Sequence, residues 1–414
     1  MHQLWVPMQD TELYRHLLGI VEPWYIDNVD MDIEEQEIHV FVKHPEGLRF
    51  QCPECDVECS VYDHQDRQWR HLDSCQFKTY LHCAVPRIQC LSHGVKQALL
   101  PWAEAGSSFT MLFERFAIDL LKACSKKDAA ALLRLSWDQV DTIMQRAVRR
   151  GRKRKATVPL PQIGIDEKAF RKGHNYLTLV IDVQRSAVEY IEEERTKASL
   201  DGFFTSLTDE QRSSIQSVAM DMWEPYRQSV IEHLPNAEEK IVLDRFHLMK
   251  YMTEAVDKVR RHEHRQLRKA GESILTNTKY LWLYAKENIP EHRQDEFATL
   301  RHHHLQVAKA WSIKEQLRSL WHYLYPASAW KFFTRWYFWA THSRLQPVIK
   351  VAKMFKKHCA FILNFITHRL TNAVAEGINS KIQEVKKRAC GFRNIENFKT
   401  AIFFHCGKLD LYPH

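Results

Sequence analysis

The sequence lacks long apolar runs. A membrane-spanning helix needs about 20 consecutive apolar residues, and the longest apolar run, near residues 359–366, is far shorter. Residues 1–13 also lack the basic-then-apolar pattern of a secretion signal. We therefore expect a cytoplasmic protein, associated with the nucleoid if it binds DNA.

The sequence also lacks internal repeats, low-complexity segments and a strong excess of one charge. Its 59 basic and 51 acidic residues leave a formal net charge of +8, which favours binding to a polyanion without establishing it. A length of 414 residues with 45% hydrophobic residues is ordinary for a globular protein and suggests two to four domains.

Cysteine is unevenly distributed. Seven of the ten cysteines fall between Cys52 and Cys124, and without a secretion signal we expect reduced thiols or metal ligands instead of disulfides. Two pairs share the spacing at which one tight turn aims two side chains at a single ion. These are Cys52 with Cys55, and Cys90 with His93.

A Cys₃His set is suited to structural Zn²⁺ in a closed tetrahedral site. The 34 residues between the pairs exceed the usual finger spacing, so a small sheet must bring the pairs together. The alternative is a group of buried reduced cysteines, and three other cysteines remain rival ligands: Cys59, Cys75 and Cys83.

Two capping signatures predict a pair of short helices. Ser125 and Ser136 are each followed three residues later by an acid or amide, which predicts helices over residues 126–133 and 137–149. Two helices joined by a tight turn form a helix-turn-helix, in which the second helix enters the major groove of DNA. An ordinary helical hairpin is the alternative.

A basic run follows the second helix and precedes two prolines. We expect a linker here whose cations neutralise DNA phosphates, although such a run can equally be a solvated linker without that role. The predicted DNA contacts are Arg149, Arg150, Arg152, Lys153 and Arg154.

Beyond the prolines the pattern becomes α/β. The predicted strands cover residues 162–166, 176–183, 187–191, 215–221 and 240–244, with helices over 197–207 and 225–233. From residue 246 to about 367 the chain is almost wholly helical, and it is rich in tryptophan. We expect Trp311, Trp321, Trp330, Trp336 and Trp339 to be helix core, with stacking on an unpaired base as the alternative.

Two aspartates end apolar strands. Asp166 and Asp221 can meet at one edge of a sheet, where they can bind two Mg²⁺ ions for an in-line displacement at phosphorus. A third ligand should follow on a helix, and Glu376 lies opposite the apolar stripe of a helix that begins near Asn372. A surface glutamate on a solvated helix fits that pattern equally well.

These residues lie in blocks that resemble the ISL3 family of bacterial insertion-sequence transposases. Residues 165–176 (IDEKAFRKGHNY) resemble its first-aspartate block, and residues 220–226 (MDMWEPY) resemble its second-aspartate block. Residues 372–382 (NAVAEGINSKI) resemble its glutamate block, and residues 391–394 (GFRN) also fit.

The resemblance implies a multidomain α/β protein with an RNase H-like mixed sheet and an all-helical insertion, preceded by a zinc-binding β-rich module and a helix-turn-helix. Asp166, Asp221 and Glu376 would form its catalytic triad and bind Mg²⁺ or Mn²⁺. The predicted domains are residues 1–105 with the zinc module, 106–150 with the helix-turn-helix, a basic linker at 151–160, a catalytic domain at 161–249 and 367–414, and the insertion at 250–366.

The same resemblance implies roles for further residues. Asp244 and His247 match an Asp-x-x-His signature that places His247 on DNA near the scissile phosphate, although a helix-capping role for Asp244 is the alternative. Other predicted DNA contacts are Asn379, Lys381 and Arg393. Zinc modules of this family often have four cysteines, whereas this one ends in a histidine. Glu167 should point away from Asp166 across the strand, so we leave it out of the triad.

The expected function is transposition. The enzyme would bind the terminal inverted repeats of its element, cut the ends and join the 3′-hydroxyls to target DNA, working on double-stranded DNA as a homodimer or larger assembly. Two alternatives remain, namely a DNA-binding regulator with an inactive α/β domain, and a nuclease that cuts without joining. The regulator would not need all three acids, and the nuclease would not require the end-binding modules.

Overall fold

The fold is described from a computed structural model of the chain, which covers residues 9–171, 175–370 and 373–414. The chain divides into two compact units, Met1–Lys155 with Leu409–His414, and Ala156–Lys408. Within the resembling blocks, residues 172–174 and Asn372 lie outside the described residues. Among the described helices, none combines the length and the apolar character needed to cross a membrane.

The first unit is built on a five-stranded sheet. Its elements are α1 (Asp10–Leu18), β1 (Tyr25–Asp32), β2 (Glu37–Lys43), β3 (Phe50–Gln51), β4 (Glu58–Cys59), β5 (Val61–Ser74), β6 (Phe77–Cys90) and β7 (Gly94–Gln97). The strand order is β1-β2-β6-β5, with β7 on the end of β6 and a separate β3-β4 ribbon. Alternate residues of β2 and β6, such as Val40 and Leu81, face a core that contains Trp69 and Trp102.

Three helices complete this unit: α2 (Met111–Ala123), α3 (Lys126–Leu133) and α4 (Trp137–Arg154). The predicted helix at 137–149 therefore continues for five residues through the basic run, and the predicted linker does not begin at residue 151. Arg, Lys and Gln are good helix formers, and the cations of the last turn are favourable at the negative end of the helix dipole. The basic run is consequently helical as far as Arg154.

The last six residues belong to this first unit, whereas the sequence predicted them within the catalytic domain. The guanidinium of Arg150 donates to the backbone carbonyl of Leu411, and that of Arg154 donates to the carbonyl of Tyr412 at 2.6 Å. Gly151 permits this close approach, because an added Cβ would lie 2.6 Å from the Cβ of Leu409. The C-terminal segment therefore packs along α4.

A buried histidine joins β5 to the start of α2. The Nδ1 atom of His71 lies 2.8 Å from the hydroxyl of Thr110, and that hydroxyl caps α2 by accepting from the backbone N–H of Phe113. Burial, reinforced by the neighbouring Arg70, lowers the pKa of His71 from about 6.5 to about 4. The folded protein therefore holds this imidazole in its neutral form.

We expect this histidine to make stability depend on pH. Because its pKa is lower in the folded state, its contribution is complete above pH ~6.5 and falls as pH decreases towards 4. Between pH 7 and pH 5 the free energy of unfolding should drop by about 2 kcal/mol on this account. Denaturant titrations of His71→Asn should lack that part of the pH dependence. An equal pH dependence in wild type and variant would contradict the assignment.

The second unit contains a five-stranded mixed sheet. Its strands are β8 (Gln162–Arg171), β9 (Asn175–Asp182), β10 (Ala187–Glu193), β11 (Ser217–Met220) and β12 (Ile241–Leu243), in the order β10-β9-β8-β11-β12. The pairs β10-β9 and β9-β8 are antiparallel, whereas β8-β11 and β11-β12 are parallel. Each strand predicted from the sequence is present, but β8 continues to Arg171, so Asp166 lies within its strand and not at its end.

The helices of the same unit that lie outside the segment between β12 and α16 are α5 (Lys197–Ser206), α6 (Asp209–Ser214), α7 (Glu224–His233), α8 (Ala237–Lys240), α16 (Ala373–Arg388) and α17 (Ile395–Cys406). Ile163, Ile165 and Val180 join the core cluster that includes residues of α5 and α7. Phe170 packs against Phe398 of α17, with ring centroids 5.8 Å apart. The two faces of β8 thus contact different helices, because successive side chains of a strand point to opposite faces of the sheet.

The segment between β12 and α16 is helical, as predicted. Its helices are α9 (Arg245–Lys269), α10 (Lys279–Leu283), α11 (Gln294–His302), α12 (Gln306–Arg318), α13 (Pro326–Thr341), α14 (Gln346–Lys357) and α15 (Cys359–His368). Trp311, Trp321 and Trp336 are buried in its core, whereas Trp339 is half-buried and Trp330 is exposed. The expectation of core tryptophans is therefore correct for three of the five.

Candidate functional site

The predicted zinc ligands come together in the first unit. Cys52 and Cys55 lie in the turn between β3 and β4. Cys90 is the last residue of β6, and His93 lies in the turn between β6 and β7. All four ligand atoms lie within 4.8 Å of one another. The Nδ1 atom of His93 is 3.7 Å from the Sγ of Cys52 and 3.6 Å from the Sγ of Cys90, and the sulfurs of Cys55 and Cys90 are 3.8 Å apart.

These separations fit a tetrahedral zinc ion. Bonds of about 2.3 Å to sulfur and 2.0–2.1 Å to nitrogen imply ligand-to-ligand distances of about 3.6–3.8 Å. Backbone N–H groups, first that of Ser92, lower the pKa of Cys90 to about 6, which favours the thiolate that binds metal. The donor set therefore suits structural Zn²⁺, with His93 binding through Nδ1.

The rival cysteines lie outside this cluster. Cys75 is exposed, at a turn between β5 and β6, and Cys83 is buried in the sheet, where burial raises the pKa of its thiol to about 12. Cys59 is a near neighbour whose Sγ donates to the carbonyl of Val57 at 3.3 Å. Burial raises the pKa of Cys59 as well. The raised pKa values of Cys59 and Cys83 favour the protonated thiol, which disfavours metal binding.

The helix-turn-helix begins at the predicted caps. The hydroxyl of Ser125 accepts from the backbone N–H of Asp128, and Ser136 forms a complete capping box with Gln139. Arg134 ends α3 in the left-handed conformation, with φ of 54°. The faces between the helices bury Ala130, Leu133, Val140 and Ile143.

The basic run does not behave as one surface. The guanidinium of Arg150 is buried, and it pairs with Glu104 and Glu114 as well as with the carbonyl of Leu411. Arg154 lies near Asp410, at 3.3 Å, and Glu104, at 3.6 Å. Position 150 falls on the face of α4 that packs inward, so the prediction that Arg150 contacts DNA is wrong. Arg149, Arg152 and Lys153 are exposed and remain predicted contacts.

In the second unit the two aspartates lie at corresponding positions of adjacent parallel strands. Gly164 of β8 pairs with Ala219 of β11, and Asp166 and Asp221 each lie two residues further along. The backbone N–H of Asp244, which follows β12, donates to the carbonyl of Met220 at 2.9 Å. The same sheet edge therefore holds acidic residues from three neighbouring strands.

A histidine follows the third of these acids. The Nδ1 of His247 lies 2.7 Å from the carboxylate of Asp244, whose other oxygen accepts from the N–H of Phe246 and caps α9. The hydrogen bond with Asp244 raises the pKa of His247, and the carboxylates of Asp221 and Asp166 raise it further. Asp244 thus has the capping role considered as an alternative, and it also orients His247.

Asn379 of α16 completes the contacts of Asp166. Its Nδ2 donates to the Oδ2 of Asp166 at 2.6 Å, and its own Oδ1 is buried and has no hydrogen-bond partner among the described residues. Burial raises the pKa of Asp166, whereas the hydrogen bond from the backbone N–H of Glu167 lowers it; the net effect is a raised pKa. An unpartnered amide oxygen on a residue that contacts a carboxylate offers oxygen ligands of the kind that Mg²⁺ prefers. The predicted DNA contact Asn379 therefore serves Asp166 instead.

Glu376 lies one turn before Asn379 on α16, on an exposed face. Within residues 9–171, 175–370 and 373–414, no hydrogen bond or ion pair joins its carboxylate to either aspartate. Lys386 anchors the same helix to β8 by donating to the carbonyls of Ala169 and Phe170 at 3.1 and 2.7 Å. Lys381 and Arg393, predicted DNA contacts, are exposed.

The structure adds an arginine that the sequence analysis missed. Arg195 forms an ion pair with Glu167, lies 3.9 Å from the Oδ2 of Asp221, and stacks 4.0 Å from the ring centroid of Trp223. Burial raises the pKa of Glu167, whereas Arg195 lowers it. Glu167 is thus linked to Asp221 through Arg195, a relation that no local pattern around Arg195 could reveal.

Comparisons with known proteins agree on one family. Residues 163–402 match the transposase family model of ISL3, residues 98–148 match the helix-turn-helix domain of transposase family ISL3, and residues 49–93 match the zinc-finger of transposases IS204, IS1001, IS1096 and IS1165. The zinc-finger match and the Cys₃His cluster together indicate structural zinc. The helix-turn-helix match indicates that the chain binds DNA.

Two curated relatives span nearly the same length. The transposase for insertion sequence element IS1557 of Mycobacterium tuberculosis is 26% identical over 417 residues, covering 94% of this chain and 93% of the relative. The transposase for insertion sequence element IS1001 of Bordetella parapertussis is 28% identical over 352 residues, covering 84% and 86%. With the family model matching more than half of the chain, the protein belongs to the ISL3 family of transposases.

Proposed function

We propose that this transposase cuts DNA at the ends of its insertion sequence and joins the liberated 3′-hydroxyls to target DNA, using divalent metal ions held by Asp166, Asp221 and Glu376. The observation that carries the proposal is the placement of Asp166, within β8, and Asp221, directly after β11, at corresponding positions of adjacent parallel strands. The unpartnered Oδ1 of Asn379 supports an ion there. The relatives named as transposases support the reaction class.

The catalytic domain is proposed to be RNase H-like. Support comes from the resemblance, from the mixed five-stranded sheet and from the helical segment between β12 and α16. The insertion would be residues 250–366, as predicted, with the catalytic residues on either side of it. Glu376 would approach the aspartates from α16, the helix that already carries Asn379 to Asp166.

When bound, Mg²⁺ or Mn²⁺ would activate the attacking oxygen and stabilise the leaving one in two successive in-line displacements. Asp166 and Asp221 supply the negative charge, and Arg195 restrains Asp221 from the other side. The raised pKa of His247 favours its cationic form, which can donate to a phosphate oxygen of the DNA. The first unit would hold the terminal repeats, and pairing two ends would require a dimer or larger assembly.

The test is a Mg²⁺-dependent cleavage and strand-transfer assay on DNA that carries the element's ends. We expect Glu376→Gln to lose cleavage and joining by roughly 10³-fold, because a lost metal ligand removes several kcal/mol of transition-state stabilisation. Glu384→Gln is the matched control, since Glu384 is an exposed glutamate on the same helix that pairs with Arg388. The control should retain wild-type rates and end binding.

Two results would count against the proposal. Wild-type rates in Glu376→Gln would show that Glu376 is not part of the triad. It would then be an ordinary glutamate on the surface of α16. End binding without any cleavage by wild type would favour the alternative, a DNA-binding regulator with an inactive α/β domain.

A further inference from the structure

The helical segment contains a long stretch without acidic residues. Residues 316–375 include no Asp or Glu, whereas they include nine Lys and Arg residues. The whole chain is nearly balanced, with 59 basic and 51 acidic residues, so this concentration is a local feature. Such a segment repels other cationic surfaces and attracts polyanions.

Two of the nine cations are engaged within the protein. Arg318 pairs with Glu287 and Glu315, and Arg369 donates to the carbonyls of Trp321 and Tyr323. The other seven lie on or between α13 and α14, and none forms an ion pair with a carboxylate of the described residues. They are Lys331, Arg335, Arg344, Lys350, Lys353, Lys356 and Lys357.

Helical spacing gathers these cations onto outward stripes. Lys331, Arg335 and Phe338 of α13 and its C-cap His342 follow one another at intervals of three or four residues, and all four are exposed. The opposite face buries Ala329, Phe333, Trp336 and Ala340. On α14 the exposed Lys350, Lys353 and Lys357 lie opposite the buried Val348, Ala352 and Phe355. Each helix therefore turns a basic stripe towards solvent.

One contact shows that the two helices share this side. The Nζ of Lys356 lies 4.3 Å from the ring centroid of Trp330, which is 44% exposed. Phe338 is 63% exposed and stacks on His342 at 4.0 Å. Exposed aromatic rings among unpaired cations are typical of surfaces that track a nucleic-acid backbone.

We propose that the α13–α14 hairpin, residues 326–357, is a DNA-binding surface that contacts the phosphodiester backbone without reading sequence. The inference rests on the proposed function, since it adds a second DNA contact to the same enzyme. Lysine side chains act as point charges towards phosphates, and the surface offers no set of amide or carboxylate groups aimed at base edges. The contact adds affinity for flanking or target DNA of any sequence.

The test uses the full chain and DNA of arbitrary sequence that lacks the element's ends, as duplex and as single strand, in buffer free of Mg²⁺. The variant replaces three exposed lysines together: Lys331→Gln, Lys350→Gln and Lys353→Gln. The matched control replaces three exposed lysines elsewhere in the second unit: Lys258→Gln, Lys269→Gln and Lys279→Gln. Acidic neighbours such as Glu254 and Asp257 flank Lys258, so the control changes the same charge in a less basic setting.

We expect the triple variant to bind at least one probe roughly tenfold or more weakly at about 0.1 M salt, and the slope of log affinity against log salt to shrink by about 2 to 3. The control should shift neither. Equal affinity and slope in wild type, variant and control would overturn this inference and leave the proposed function standing. A wild type that binds neither these probes nor the element's ends would overturn both.

Discussion

Asp221→Asn is expected to abolish cleavage and strand transfer while leaving binding to the element's ends intact. The substitution removes one negative charge from the pair of carboxylates at corresponding positions of β8 and β11. A lost ligand of a two-metal site costs several kcal/mol of transition-state stabilisation, or roughly 10³-fold in rate. Binding should persist because the zinc module and helix-turn-helix belong to the other compact unit. Gel-shift and cleavage assays on the same DNA separate the two effects.

The matched control is Asp295→Asn, an exposed aspartate in α11 that should keep the wild-type rate. The ion pair of Arg195 allows a second measurement, thermal unfolding, to distinguish loss of a metal ligand from loss of stability. In Asp221→Asn the arginine keeps its partner Glu167 and its contact with Trp223, so the thermal unfolding temperature should change little. A variant that still cuts and joins DNA would show that Asp221 is not a metal ligand.

Cys52→Ser is expected to release zinc and weaken binding to the element's ends. Cys52 is fully buried, and its sulfur lies 3.7 Å from the Nδ1 of His93. Structural zinc contributes about 10–16 kcal/mol of binding free energy in zinc-finger peptides, and here it would join the turn after β3 to the turn after β6. Without the ion these turns lose their cross-link, so zinc per chain should fall from about one to near zero.

Cys75→Ser is the matched control, because Cys75 is exposed and lies outside the cluster. It should retain zinc and end binding. Elemental analysis after gel filtration measures the metal, and gel shifts measure the DNA. Zinc content that is unchanged in Cys52→Ser would mean that the cysteines have another purpose.

Local patterns predicted most of the elements correctly. The caps Ser125 and Ser136 determine where α3 and α4 begin, because a side-chain oxygen must satisfy orphan N–H groups at each helix start. The paired Cys-x-x-Cys and Cys-x-x-His spacings predicted the cluster that the structure brings together. Each of these signals lies within a few residues, so the sequence carries it directly.

Arg150 shows where such reasoning fails. Within the run of cations nothing distinguishes it from Arg149 or Arg152, yet it alone points inward to Glu104 and Glu114. Glu104 is 46 residues away, and the carbonyl of Leu411 is 261 residues away. A pairing of that kind depends on how distant segments of the chain pack. Once the guanidinium is buried, it must be paired, because an unpaired buried charge is strongly destabilising.

The sequence by itself determined the type and order of the modules, the metal-binding spacing and the pair of aspartates on two neighbouring strands. Only the tertiary structure decided which of those residues meet. It brought Asn379 to Asp166 across 213 residues and linked Glu167 to Asp221 through Arg195. It also left the cations of α13 and α14 without an ion pair to any carboxylate of the described residues. Spacing along a chain controls neighbours within one element, whereas the contacts between elements follow from how their buried faces pack.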